Sequence, residues 1–177
     1  MRVITGKYKG RSLVAPKNVA RPTLDRMKET LFNIINFKVQ GSTVLDLFAG
    51  SGQLAIECLS RGASRAVLCD NNRESVNAIK ANFEKIGAIP EIMFCDYRVC
   101  LQQLNCKMDL IFIDPPYQSG YYEGVLADIS SREILQTDGW VVCEHAAEDD
   151  LPSVVGNLSL FDSRKIGTVK FSFYKRS

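Results

Sequence analysis

From Thr43 onward the chain alternates short apolar runs with segments of helical periodicity, and no other feature restricts its fold as much. Residues 43–47, 65–69, 91–95, 108–113 and 139–143 are apolar runs too short for helices and read as buried strands. Between them helices are predicted near 53–61, 73–86, 97–104 and 121–135, with Gly62 and Gly87 where helix C-caps belong. Such alternation predicts an α/β fold, a mostly parallel sheet covered on both faces. The tail differs. Residues 158–165 and 169–175 flank Ile166-Gly167-Thr168 and read as an antiparallel hairpin that closes the sheet. With 177 residues, such a unit buries enough surface to need no disulfide or metal staple.

The first forty residues follow another pattern. Val3-Ile4-Thr5 and Ser12-Leu13-Val14 flank a Gly-, Lys- and Arg-rich turn and suit a small hairpin. Pro16 to Pro22 reads as a loop, and Thr23 as the cap of a helix reaching about Phe37, with Met27, Leu31, Ile34 and Ile35 on its apolar face. The expected division is therefore a hairpin-and-helix extension over 1–40 and a main domain over 41–177. Charge divides the same way: residues 1–40 carry +7 and the remainder −5, which together make the net +2. A basic arm on an acidic body points to a polyanionic partner, with Lys7, Lys9, Arg11, Arg21 and Arg26 as candidate contacts. The competing reading is a solvated, lysine-rich surface.

No apolar run approaches the ~18 residues of a membrane span, and the N-terminus has no signal-peptide core. The six cysteines form no CxxC pair, and Cys95, Cys100 and Cys106 have spacings that suit no usual metal motif. His145 is the single histidine and has no evident partner, so no metal site is expected. A reducing cytoplasm is the expected compartment.

Two constellations carry chemistry. In Asp46-Leu47-Phe48-Ala49-Gly50-Ser51-Gly52 a strand runs into a glycine turn and then a helix, so the backbone can approach a ligand closely. Asp70 follows the next strand, where an acidic residue accepts ribose hydroxyls. The glycine pattern alone also fits a nicotinamide enzyme. Asp46 tips the balance toward S-adenosylmethionine: a carboxylate there repels a pyrophosphate but can hold, directly or through water, the cationic amino group of that phosphate-free ligand. The second constellation, Asp114-Pro115-Pro116-Tyr117, ends the fourth strand. Its prolines remove two N–H donors, leaving an acceptor-only turn. Asp114 and the Pro115 carbonyl suit the two N–H groups of an exocyclic amine, and Tyr117 offers a face for an extruded base. Between the two lies Asp96-Tyr97, which reads either as an adenine contact or as a solvated strand end.

These motifs resemble the Rossmann-like S-adenosylmethionine-dependent methyltransferases and, more closely, the RsmD family. The resemblance covers almost the whole chain: Gly10-Arg11-Ser12-Leu13, residues 21–33, Leu45 to Gly52 with Glu57, Leu59 and Ser60-Arg61-Gly62-Ala63, and the Asp-Pro-Pro-Tyr turn. It implies a three-layer sandwich with S-adenosylmethionine as cofactor. The implied cofactor residues are Asp46, Phe48, Ala49, Gly50, Ser51, Gly52, Asp70, Asn71, Asp96 and Tyr97. It implies methylation of a guanine N2 amine in 16S ribosomal RNA, free or in an assembling small subunit, with Asp114, Pro115, Pro116 and Tyr117 at the reacting base and no metal. Three positions depart from the family pattern: Asp70 stands for a glutamate, Asn72 for an aspartate and Thr5 for a glycine. An adenine-N6 methyltransferase acting on DNA or RNA shares every pocket feature and is the alternative.

Overall fold

The computed structural model describes residues 1–14, 21–116 and 120–177, the side chains of 21–24 excepted. Five helices and eight strands follow in order: α1 (Arg21–Val39), β1 (Thr43–Asp46), α2 (Gln53–Ser60), β2 (Arg65–Cys69), α3 (Arg73–Ile86), β3 (Glu91–Met93), α4 (Tyr97–Gln103), β4 (Met108–Ile113), α5 (Tyr121–Ser131), β5 (Leu135–Ala146), β6 (Val154–Val155), β7 (Leu158–Ile166) and β8 (Val169–Arg176). All eight strands form one sheet in the order β3-β2-β1-β4-β5-β8-β7-β6. The first five are parallel, and β8, β7 and β6 are antiparallel additions. The chain leaves β1 toward β2 on one side and returns to β4 on the other. The C-terminal ends of β1 and β4 are thus the switch point where open α/β sheets bind ligands.

Alternation along the strands sorts the core into two layers. Val44, Phe112, Val142 and Phe173 face α1, α2 and α3, while Leu45, Ile111, Val141 and Tyr174 face α4 and α5. This is the sandwich expected from the sequence, and the closing hairpin is where it was predicted. Three boundaries differ. α1 begins at Arg21 rather than at a Thr23 cap, because Pro22 fits a first helical turn whose N–H groups need no intrahelical partner. Helix α5 ends at Ser131, before the predicted 135, where Glu133 takes φ 51 and breaks the turn. Buried Leu135 instead pairs with Met108 and starts a 12-residue β5. β3 stops at Met93, and β6 is a short edge strand that the sequence pattern did not show. The loop expected from Pro16 falls, through residue 20, outside the described residues.

The N-terminal hairpin is spare: one bridge, Arg2 with Ser12, and backbone bonds from Val3 N to Arg11 O at 3.0 Å and from Leu13 N to Met1 O at 2.9 Å. It is held to the sheet domain by buried polar groups. Glu57, fully buried on α2, accepts Ile4 N at 3.0 Å and Thr5 N at 3.1 Å and pairs with Lys28 at 3.6 Å and Arg61 at 3.0 Å. Asn82 on α3 accepts Val14 N and donates to Ser51 O at 2.9 Å, linking the hairpin's end to the glycine turn.

Candidate active site

β1 ends in Asp46, and the turn that follows is fastened to both neighbouring strands: Leu47 N donates to Phe112 O at 3.1 Å and Ala49 N to Cys69 O at 2.9 Å. Gly50 and Gly52 take φ 55 and 75. Asp70, at the exit of β2, accepts Gly50 N through one oxygen and Asn72 N through the other, both at 2.8 Å. Each oxygen retains a lone pair for a ligand hydroxyl. Asn72 then caps α3 by accepting Glu74 N and Ser75 N.

These elements enclose a pocket of ≈ 390 Å³ at the switch point, the size of a nucleoside-like ligand. Its wall brings together Phe48, Gly50, Asp70, Asn71, Asp96, Tyr97, Asp114, Pro115 and Pro116, all expected from the sequence. Ala49, Ser51 and Gly52 are buried behind the turn, and Asp46 is 1% exposed, accepting Ala55 N at 3.4 Å. Asp96 doubles as the N-cap of α4, accepting Arg98 N at 2.9 Å. Tyr117 lies outside the described residues. Sequence reasoning missed Tyr121, which stacks on Phe48 with ring centres 5.8 Å apart and with Tyr97 completes an aromatic wall. In the sequence it marked only a helix start.

The site is electronegative. Burial, reinforced by Asp114, pushes the Asp46 carboxyl up to about 7, and burial brings Asp114 to about 7 as well. Glu144 at the end of β5, also unforeseen, is raised by burial and by both aspartates. Its only signal was its register: Ile113 pairs with Cys143, so Asp114 and Glu144 leave adjacent strands together. No lysine or arginine is among the described lining residues. Ser51 Oγ and Gln53 Oε1 are buried at the same turn with no partner among the described residues, so hydrogen-bonding capacity is left over beside the pocket. A cationic ligand with hydroxyl groups fits these donors and acceptors; a pyrophosphate does not.

The candidate arm residues stand elsewhere. Lys7, Lys9, Arg11 and Arg26 are exposed, and the side chain of Arg21 is not described. Lys7 N donates to the carbonyl of Ser60, the last residue of α2, at 2.7 Å. The hairpin tip therefore lies about 12 Å, one α2 length, from the glycine turn. His145 is a core residue: its Nε2 is 2.8 Å from Ser172 Oγ, and its Nδ1 donates to Ala146 O at 3.0 Å.

A parallel sheet with a nucleoside-sized, carboxylate-lined pocket at its switch point and an Asp-Pro-Pro turn beside it defines the Rossmann-like methyltransferase class. Within that class, the profile of the family described as Conserved hypothetical protein 95 matches residues 1–175, and the chain belongs to this family. It is 36% identical over 184 residues to "Putative rRNA methyltransferase YlbH" of Bacillus subtilis, covering 99% of both chains. It is 32% identical to "Ribosomal RNA small subunit methyltransferase D" of Escherichia coli, covering 99% of this chain and 90% of that one. Among solved structures, "Putative methyltransferase yhhF" from Escherichia coli superposes with a TM-score of 0.87 at 29% identity, over 100% of this chain and 98% of that one. The family resemblance read from the sequence is the family that these comparisons identify.

Proposed function

We propose that the protein methylates the exocyclic N2 amine of a guanine in 16S ribosomal RNA, using S-adenosylmethionine in the cytoplasm. The names of the relatives support ribosomal RNA as substrate. The observation that carries the cofactor is the pocket wall, where carboxylates meet an aromatic surface and no cation stands among the described lining residues. Asp70 would accept the ribose hydroxyls, Tyr97 and Phe48 would flank the adenine, and Asp46 would face the cationic amino end. When bound, the cofactor supplies an electrophilic methyl group on a sulfonium.

The chain's own residues then do the rest. A guanine N2 lone pair is delocalised into its ring, so orientation and electrostatics carry the catalysis. Asp114 and the Pro115 carbonyl accept the two N–H bonds and turn the lone pair toward the methyl group. The same acceptors stabilise the positive charge that develops on nitrogen. With its carboxyl raised to about 7, Asp114 is a stronger base than an ordinary aspartate and takes the proton released from the amine. Residues 1–40 act as an RNA-binding extension of the methyltransferase domain, and a small-subunit particle in assembly presents the target base.

The test is direct. Purified protein and methyl-labelled S-adenosylmethionine are incubated with small-subunit RNA and with partly assembled particles, and the digested nucleosides are separated. N2-methylguanosine is the expected product. N6-methyladenosine, or no incorporation into either substrate, overturns the reading.

A further inference from the structure

Every residue of β7 after Leu158 is exposed or half-buried. α1 borders this bare region on one side and the β7–β8 hairpin borders it on the other, forming a shelf. At one end of the shelf Arg26, Met27 and Thr30 of α1 share a cleft of ≈ 830 Å³ with residues Lys165 to Thr168 of the hairpin turn. Arg26, Thr30 and Phe37 recur at helical spacing, so one side of α1 runs the length of the shelf, about 16 Å.

At the other end three aromatic rings meet in the open. Phe37 lies 5.3 Å from Trp140 and edge-on to it, and Trp140 lies 4.7 Å from Phe161. Phe37 is 69% exposed and Phe161 37%. Lys38 Nζ stands 5.3 Å from the Trp140 ring centre, and Lys175 Nζ stands 5.4 Å from that of Phe161. None of Arg26, Lys38, Lys165 and Lys175 has a carboxylate partner among the described residues; Lys38 Nζ donates one of its three N–H groups to the Asp138 carbonyl at 2.7 Å and keeps two for a phosphate. Asp25 and Glu29 of α1 line a different cleft, beside Arg2.

Exposed rings together with uncompensated cations at both ends match one kind of ligand, a polyanion that also carries flat apolar faces. We propose that this shelf holds a short single-stranded stretch of the substrate RNA, an unpaired base stacking on the Trp140–Phe161–Phe37 cluster and flanking phosphates meeting Lys38 and Lys175. The proposal rests on the reading of RNA as substrate. Trp140 stands four strand residues before Glu144, about 13 Å from the catalytic end of the sheet, so the shelf secures RNA rather than taking part in methyl transfer.

Trp140 is the single tryptophan of the chain, so fluorescence excited at the red edge, beyond tyrosine absorption, reports on this shelf. The full chain is titrated with an unstructured oligoadenylate, with binding followed in parallel by the anisotropy of a labelled oligonucleotide. Saturable quenching that tracks the anisotropy is expected. The pair Lys38→Gln and Lys175→Gln should weaken binding at least tenfold, reduce the salt slope by about 1.4 for two lost phosphate contacts, and leave cofactor affinity unchanged. Oligonucleotide binding with no Trp140 response overturns the shelf. So does a Trp140 signal that changes with protein concentration alone, which would mean that a second copy of the chain occupies it. If methyl transfer to small-subunit RNA persists in either case, only the shelf proposal fails. If neither binding nor transfer is seen, RNA as substrate fails with it.

Discussion

Gly52 is at φ 75, and a Cβ added there would sit 3.0 Å from Leu68 Cδ2 and 3.3 Å from Ile79 Cγ1. The glycine is needed for core packing beneath the turn as well as for its conformation. Gly52→Ala should therefore destabilise the fold, with about 1–2 kcal/mol from the left-handed backbone alone, read as a lower urea midpoint. Gly50→Ala meets nothing within 4 Å and should show the backbone cost only. At Asp114 the expected separation is between chemistry and binding. Asp114→Asn keeps the shape and an amide oxygen that still accepts one N–H bond, but it loses the base and the negative charge, so turnover should fall by two orders of magnitude or more. Cofactor affinity, by calorimetry, should stay within a few-fold. Equal loss of both would make Asp114 a cofactor ligand. Proton linkage follows from the same residues. Asp46 and Asp114 hold protons up to about pH 7 in the fold, against about 4 when unfolded, so their contribution to stability falls as pH rises through that window. A cationic ligand whose amino end faces Asp46 favours the ionised form of that carboxyl. Between pH 5 and 7 its binding should release protons and tighten with rising pH, measured as a buffer-dependent enthalpy.

At the scale of elements, α2 does more than cover the sheet. Its Glu57 is the fully buried junction of two hairpin N–H groups, Lys28 of α1 and Arg61. Burial outweighs the attraction of Glu57 and lowers the Lys28 pKa, so the junction is a costly one that tolerates no missing member. Glu57→Ala leaves Lys28 buried with the Arg2 carbonyl and the charge of Asp25 but without its ion-pair partner, and should cost about 3–5 kcal/mol. Amide exchange over residues 3–13 should then accelerate before that of β1 or β4. Gly6 is the steric counterpart. Any side chain there would overlap the Ser60 carbonyl, so the hairpin lies against the end of α2 only because residue 6 is glycine.

For the whole molecule, the +7 arm and the −5 body remain the broadest electrostatic feature. Lys7→Ala, Lys9→Ala and Arg11→Ala together alter exposed side chains and leave the Glu57 junction intact. RNA affinity should drop and its salt slope should become shallower by about two units, with cofactor binding unchanged. An unchanged slope would return the arm to a solvated surface. The hairpin tip lies beside the last residue of α2, so any RNA it holds must extend along the protein to reach Asp114.

The alternating core, the order of its elements and the two motifs at the strand ends are legible in the residues alone, because strand length, helical period and glycine or proline chemistry are local properties. Helix 73–86 and strands 65–69 and 108–113 were legible to the residue for that reason. Positions set by pairing across the sheet were not. Leu135 became the start of β5 through its partnership with Met108, and Glu144 joined Asp46 and Asp114 through the register of β5 on β4. Tyr121 reached the pocket through the packing of α5 against α4, whose Tyr97 it touches. Glu57 stands out only as part of the family signature and Asn82 not at all, and helical periodicity does not show that the hairpin, more than fifty residues away, buries both. Those contacts join segments that no local pattern relates, and only the tertiary structure decided them.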